Sequence, residues 1–132
     1  MTSADYGISK SMGHMGFDEA ISKVERALGE EGFGVITEVD VQAIMKQKLG
    51  ADRRPYKILG ACNPKIAHNA LEAEPLIGLL LPCNVVMMEE EDGTVTASIA
   101  DPVELFRIVG RPDMEATMLQ VRDMLRKVLD RV

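Results

Sequence analysis

The sequence is poor in several residue types that mark familiar functional classes. It has no tryptophan, two cysteines and two histidines. One cysteine pair is too few for a disulfide-stapled fold, so we expect two free thiols and a reducing, cytoplasmic location. The chain has no glycine-rich phosphate loop, no H-E-x-x-H pair and no nucleophile elbow. No stretch therefore defines a reaction, and the sequence leaves open whether the protein is an enzyme.

The charge balance and hydropathy exclude two classes of partner. Fifteen basic against twenty-one acidic side chains give a net charge of −6, which repels nucleic-acid phosphates and an anionic membrane surface. The longest charge-free run, Pro75 to Met88, is interrupted by Pro82 and is too short to cross a bilayer. The first fifteen residues contain no apolar region of a signal peptide. With 132 residues, of which 46% are apolar, the chain predicts one domain over residues 1–132.

The spacing of apolar residues predicts the order of helices and strands. A period of 3.6 residues predicts two long helices, Phe17 to Glu31 and Asp113 to Arg131. Shorter helices are expected over Val41 to Leu49 and from Pro64 to the residues before Pro75. Alternation or high β propensity predicts five strands, at Tyr6–Met12, Phe33–Val39, Tyr56–Cys62, Leu79–Met88 and Thr94–Ala100. We therefore predict an α+β fold in which both long helices pack on one face of an antiparallel sheet, in the order β-α-β(4)-α.

The fourth predicted strand also indicates self-association. It is apolar on both faces, whereas the two long helices cover only one face of the sheet. We expect Leu80, Val86 and Met88 to meet a second copy, and so predict a homodimer.

The best candidate site lies between the third and fourth strands. An antiparallel return brings Cys62 close to Cys83, and His68 lies on the intervening helix. Two thiols and an imidazole suit zinc or copper, although the close C-x-x-C spacing is absent. The sequence predicts a metal site at these three residues, or a small-ligand pocket bordered by Cys62, Asn63, His68, Cys83 and Asn84.

Other interpretations remain open. A simpler interpretation is that both cysteines are buried packing residues, because free cysteine is among the most buried residue types. A thiol enzyme or redox protein could use Cys62 or Cys83, provided that its pKa is depressed. A third possibility is a structural partner of another protein, which needs no ligand.

Three further clusters have weaker claims. Met12, His14 and Met15 could bind copper(I), although methionines at a strand end usually serve packing. A basic cluster around Tyr56 consists of Arg53, Arg54 and Lys57; it could bind an anion or form a charged strand edge. The acidic run Glu89 to Asp92 could hold a hard cation, but it is explained more simply as a solvated hairpin end.

Several short motifs together resemble domain of unknown function family 302. They are FGVITEVDVQ at Phe33–Gln42, and the steps Leu59-Gly60, Asn63-Pro64, Leu81-Pro82 and Ala100-Asp101-Pro102. The resemblance covers nearly the whole chain and implies a TATA-binding-protein-like α+β fold and a small homodimeric protein, with no established activity. Within the family the chain resembles a cysteine-bearing branch, so a role for Cys62 or Cys83 would belong to a subset. A fold of this kind does not by itself imply DNA binding.

Overall fold

The computed structural model describes residues 1–132, and its central feature is a five-stranded antiparallel sheet. The strands are β1 (Gly7–Ser11), β2 (Gly34–Asp40), β3 (Tyr56–Cys62), β4 (Cys83–Glu89) and β5 (Val95–Ala100). Their spatial order is β1-β5-β4-β3-β2, so the first strand closes one edge beside the last. The helices are α1 (Phe17–Glu30), α2 (Val41–Leu49), α3 (Pro64–Ala73), α4 (Pro102–Phe106) and α5 (Glu115–Asp130).

Helices α1 and α5 pack on the same face of the sheet, which confirms the predicted architecture. Their apolar stripes join the inward-facing strand residues in one core of seventeen buried side chains, including Val24, Leu28, Leu59, Val85, Ile99, Leu125 and Val128. The 3.6-residue period of each helix and the two-residue period of each strand determine which side chains enter this core.

The fourth strand begins later than predicted. Residues Pro75–Leu80 form a 3-10 helix, and β4 starts at Cys83 rather than at Leu79. The physical reason is Pro82, which has no N–H to donate to a sheet ladder. Leu79 is consequently 82% exposed, and Leu80 does not lie on a strand. The part of the prediction that placed Leu80 on the outer face of β4 is therefore wrong.

The helices also differ from the prediction in one boundary and in one additional helix. The last helix begins at Glu115, after a 3-10 turn at Pro112–Met114. Helix α4 was not predicted, although its start carries a recognisable signal: Asp101 accepts the Val103 N–H at 2.9 Å and Pro102 occupies the first turn. The five-residue helix is too short for its periodicity to be visible.

The face of the sheet opposite α1 and α5 is lined mainly by uncharged residues. Alternation places Ile58, Val86 and Met88 on this face, together with Ser9 and Ser98, whose hydroxyls lie 2.6 Å apart. Val86 and Met88 are half-buried, whereas Val85 and Met87 on the helix face are completely buried. The opposite face thus retains exposed apolar surface in the single chain. No helix in the structure is long and apolar enough to span a membrane.

Candidate functional site

An apolar cavity of about 270 Å³ lies where β3 ends and β4 begins. Fifteen residues line it, and apart from the two thiols Asn63 is the only polar side chain among them. Its walls come from β2 and the residue before it, from β3, from helices α3, α4 and α5, and from the segment before β4. They include Phe33, Ile36, Ile66, Leu71, Phe106 and Val121. The cavity therefore offers contact to an apolar molecule rather than a set of hydrogen bonds.

Local sequence signals place α3 over this end of the sheet. Asn63 follows the last residue of β3, and its Oδ1 accepts the backbone N–H of Ile66 at 3.3 Å. Pro64 occupies the first turn, where its missing N–H costs nothing. The cap therefore reverses the chain direction immediately after Cys62, and α3 covers the strand ends.

Gly60 allows the close approach that closes the bottom of this region. A Cβ atom at Gly60 would lie 2.6 Å from Pro82 Cγ and even closer to the Thr37 hydroxyl. A bulge accompanies this close approach, because the register of β2 shifts between Val35 and Thr37 beside Gly60.

Both cysteines line the cavity, although their positions in the strand ladder lie on opposite faces of the sheet. Cys83 pairs with Ala61 in the β3–β4 ladder, whereas Cys62 is one residue further along β3 and pairs with Gly34. Adjacent ladder positions point to opposite faces. Their shared cavity is possible because both residues stand at strand ends, where the sheet stops and α3 covers it.

The two thiols are not equivalent electrostatically. Burial raises the pKa of the Cys83 thiol to about 11, and the nearby Cys62 thiol adds a smaller increase. Cys83 is thus a neutral thiol at neutral pH. Since the thiolate is the nucleophile, this environment opposes a catalytic role for Cys83.

Of the other predicted site residues, Asn63 joins the cysteines at this cavity, whereas His68 and Asn84 do not. His68 is exposed on α3 and is not among the lining residues, and Asn84 is exposed beside a separate cavity of about 180 Å³ that includes Cys83. No group of three or more histidine, cysteine, aspartate or glutamate side chains in the chain is arranged to hold a metal ion. The structure thus does not assemble Cys62, His68 and Cys83 into one ligand set.

The methionine cluster and the acidic run have structural roles. Met12 and Met15 pack against the main core, whereas His14 is exposed near Gly93. In the acidic run, Glu90 accepts hydrogen bonds from Thr2 and Thr96, and Asp92 accepts two from Thr94. These contacts tie the N-terminal segment and the hairpin together.

The basic cluster is divided by the structure. The Lys57 ammonium lies 2.8 Å from a Glu38 carboxylate oxygen, and this hydrogen bond raises the pKa of Lys57. Lys57 and Tyr56 are successive strand residues and so point to opposite faces. Arg53 and Arg54 remain on the Tyr56 side, at the far end of β3 from the cysteines.

Sequence reasoning missed a groove on the other side of α3. It has a volume of about 530 Å³ and separates α3 from α5, with Lys65, Asn69, Thr117 and Gln120 among its lining residues. Asn63, Ile66 and Ala70 border both the groove and the apolar cavity, so α3 is a shared wall. Polar residues of α3 facing those of α5 could have indicated the groove, but only once the two helices were known to be neighbours.

The fold and the cavity define a small α+β protein with an open-faced antiparallel sheet. The family model for the domain of unknown function DUF302 matches residues 8–132. The chain belongs to this family, as its sequence motifs suggested. An uncharacterized conserved DUF302 protein from Bacillus stearothermophilus has a similar crystal structure, with a TM-score of 0.88, 30% identity, and coverage of 97% of this chain and 98% of that chain. No curated protein matches. Assignment to a cysteine-bearing branch stays a prediction.

Proposed function

We propose that this protein is a small binding module whose ligand is an apolar molecule held in the cavity beside Cys62 and Cys83. The observation that carries the proposal is the lining of the cavity, in which Asn63 is the only polar side chain besides the thiols. Its side-chain oxygen is already occupied by capping α3. A volume of about 270 Å³ is below the range of roughly 300–1,000 Å³ for drug-sized sites, so the ligand is small.

A substitution that fills the cavity tests this proposal. Ala67 lines the cavity, and Ala67→Phe should occupy much of it, whereas Ala73→Phe on the same helix projects into the groove on the other side. Indole serves as the apolar probe, and its binding is measured by chemical-shift changes in NMR spectra. We expect saturable binding to wild type and Ala73→Phe, with affinity reduced at least about tenfold in Ala67→Phe, because a filled cavity has no room for the ring.

Equal binding to the two variants would place the probe elsewhere and refute the proposed cavity. Thermal unfolding of both variants is the fold control. If Ala67→Phe is much less stable than wild type, the smaller substitution Ala67→Val replaces it in the binding assay. We expect Ala67→Val to lose part of the affinity for indole.

A thiol enzyme that uses Cys83 receives less support, because burial raises the pKa of this thiol and keeps it protonated at neutral pH. Zinc or copper(I) binding at the two thiols stays a prediction. Elemental analysis of reduced protein checks it, with the double change Cys62→Ser and Cys83→Ser as control.

We also propose a homodimer formed through the open face of the sheet, in a cytoplasmic protein. The support is the half-buried pair Val86 and Met88 on a face that neither α1 nor α5 covers. Uncharged residues on this face let two copies approach although each carries a net charge of −6. Light scattering should give twice the chain mass for wild type and a lower mass for Val86→Lys; a monomeric wild type at micromolar concentration would refute the dimer.

A further inference from the structure

A second candidate site lies at the opposite end of β3 from the cysteine cavity. Residues just before and at the start of β3 surround a cavity of about 220 Å³, together with the end of β4. Arg53, Arg54, Tyr56 and Met88 are among its lining residues. Nothing in this region overlaps the lining of the apolar cavity.

Both arginines are held in position by the surrounding structure. The Arg53 guanidinium carbon lies 5.0 Å from the centroid of the Tyr56 ring, a cation–π contact, and the Arg53 carbonyl accepts a hydrogen bond of 2.9 Å from Gln42 Nε2. Arg54 Nε donates to the Glu89 carbonyl at 3.3 Å. The contacts use one face of the Arg53 guanidinium and the Nε of Arg54. The remaining N–H groups of both side chains are available to a ligand.

The charges of this pair are not neutralised within the chain. Arg107, Arg111, Arg122 and Arg131 all form ion pairs, whereas Arg53 and Arg54 form none. Two acidic residues border the cavity: Asp52 is paired with Lys46 at 2.8 Å, and Glu89 forms no ion pair with either arginine. Two adjacent guanidinium groups therefore carry positive charge that no direct ion pair neutralises, on a chain whose net charge is −6.

We propose that Arg53 and Arg54 bind the phosphate group of a small ligand, either free phosphate or a phosphate ester. A phosphate monoester carries a charge of about −1.5 to −2 near neutral pH, which matches two guanidinium groups. Planar guanidinium groups also donate parallel hydrogen bonds to phosphate oxygens, a geometry that a lysine ammonium does not reproduce. The Tyr56 ring supplies an apolar wall beside the charges.

Calorimetric titration with inorganic phosphate and with phenyl phosphate tests the site at constant ionic strength. The variants are Arg53→Gln and Arg54→Gln, and the controls are Arg26→Gln and Arg126→Gln, two exposed arginines on α1 and α5 that also lack ion pairs. We expect saturable binding to wild type and to both controls, weakened about tenfold or more in each site variant, since each loses charge-assisted hydrogen bonds.

The two probes distinguish the source of the phosphate group. Tighter binding of phenyl phosphate, through its ring against Tyr56, identifies an ester; similar affinities identify the free ion. Absence of saturable binding to wild type, or an equal loss in the Arg26→Gln and Arg126→Gln controls, overturns the proposal. Indole binding to Arg53→Gln and Arg54→Gln should be unchanged. The proposals for the apolar cavity and for the arginine site are therefore tested independently.

Discussion

Removal of the Cys83 thiol should change how the stability of the protein depends on alkaline pH. Burial, as the larger cause, and the nearby Cys62 thiol, as the smaller one, raise the pKa of Cys83 from its ordinary 9.0 to about 11. Because folding raises this pKa, the stabilising contribution is fully present below about pH 9, declines as the unfolded thiol ionises, and is lost as pH rises through about 11. A shift of two pKa units corresponds to roughly 3 kcal/mol when fully expressed, and about half of this is lost at pH 10, midway between the two pKa values.

Urea denaturation of wild type and Cys83→Ala at about pH 7 and pH 10 measures this difference. Lysines and tyrosines also titrate in this range, so the informative quantity is the pH-dependent loss of unfolding free energy in wild type minus the same loss in Cys83→Ala. We expect a difference of roughly 1 to 2 kcal/mol, with wild type losing more. Cys62→Ala is the control: it keeps the buried thiol and should keep most of the effect, since burial is the larger cause.

Ultraviolet absorbance of the thiolate gives a direct check. In folded Cys62→Ala the remaining thiol should ionise clearly above its ordinary pKa. Ionisation of Cys83 near its ordinary pKa, or a double difference of zero, would refute the argument that burial raises the pKa of this thiol.

Two further substitutions test the contacts around the sheet. Gly60→Ala should lower the free energy of unfolding in urea by about 1–3 kcal/mol, because the new methyl group overlaps Pro82. The control Gly29→Ala, on the open side of α1, should be neutral or stabilising by up to about 1 kcal/mol. Equal effects of the two substitutions would contradict the close packing of Pro82 on Gly60. Hydrogen bonds from Thr2 lower the pKa of Glu90, so this carboxylate stabilises the fold above its ordinary pKa, and the contribution is lost as pH falls through the lowered value. Wild type should therefore lose more stability than Glu90→Gln in denaturation curves between neutral and strongly acidic pH, and identical acid profiles would show that Glu90 does not hold the N-terminal segment.

Sequence patterns were sufficient to predict those helices and strands whose formation depends only on residues near one another in the chain. The stripe from Phe17 and the alternation from Val95 follow from the geometry of a single helix and a single strand. Asn63-Pro64 predicted the start of α3 for a similar reason, because a cap involves only residues three apart. Errors occurred where the local signal was ambiguous, as in the leucine-rich run before Pro82, which forms 3-10 turns instead of a strand.

The candidate site was decided by contacts between residues distant in the sequence. Spacing alone brought Cys62, His68 and Cys83 into one region, yet the rotation of α3 against the sheet leaves His68 in solvent. The same packing turns Phe33, Phe106 and Val121, from three separate elements, into walls of one cavity. By itself, the amino-acid sequence determined the order of helices and strands, since their periodicities arise within each segment. Only the tertiary structure decided which side chains share a cavity and which charges stay unpaired, because both depend on how those segments pack together.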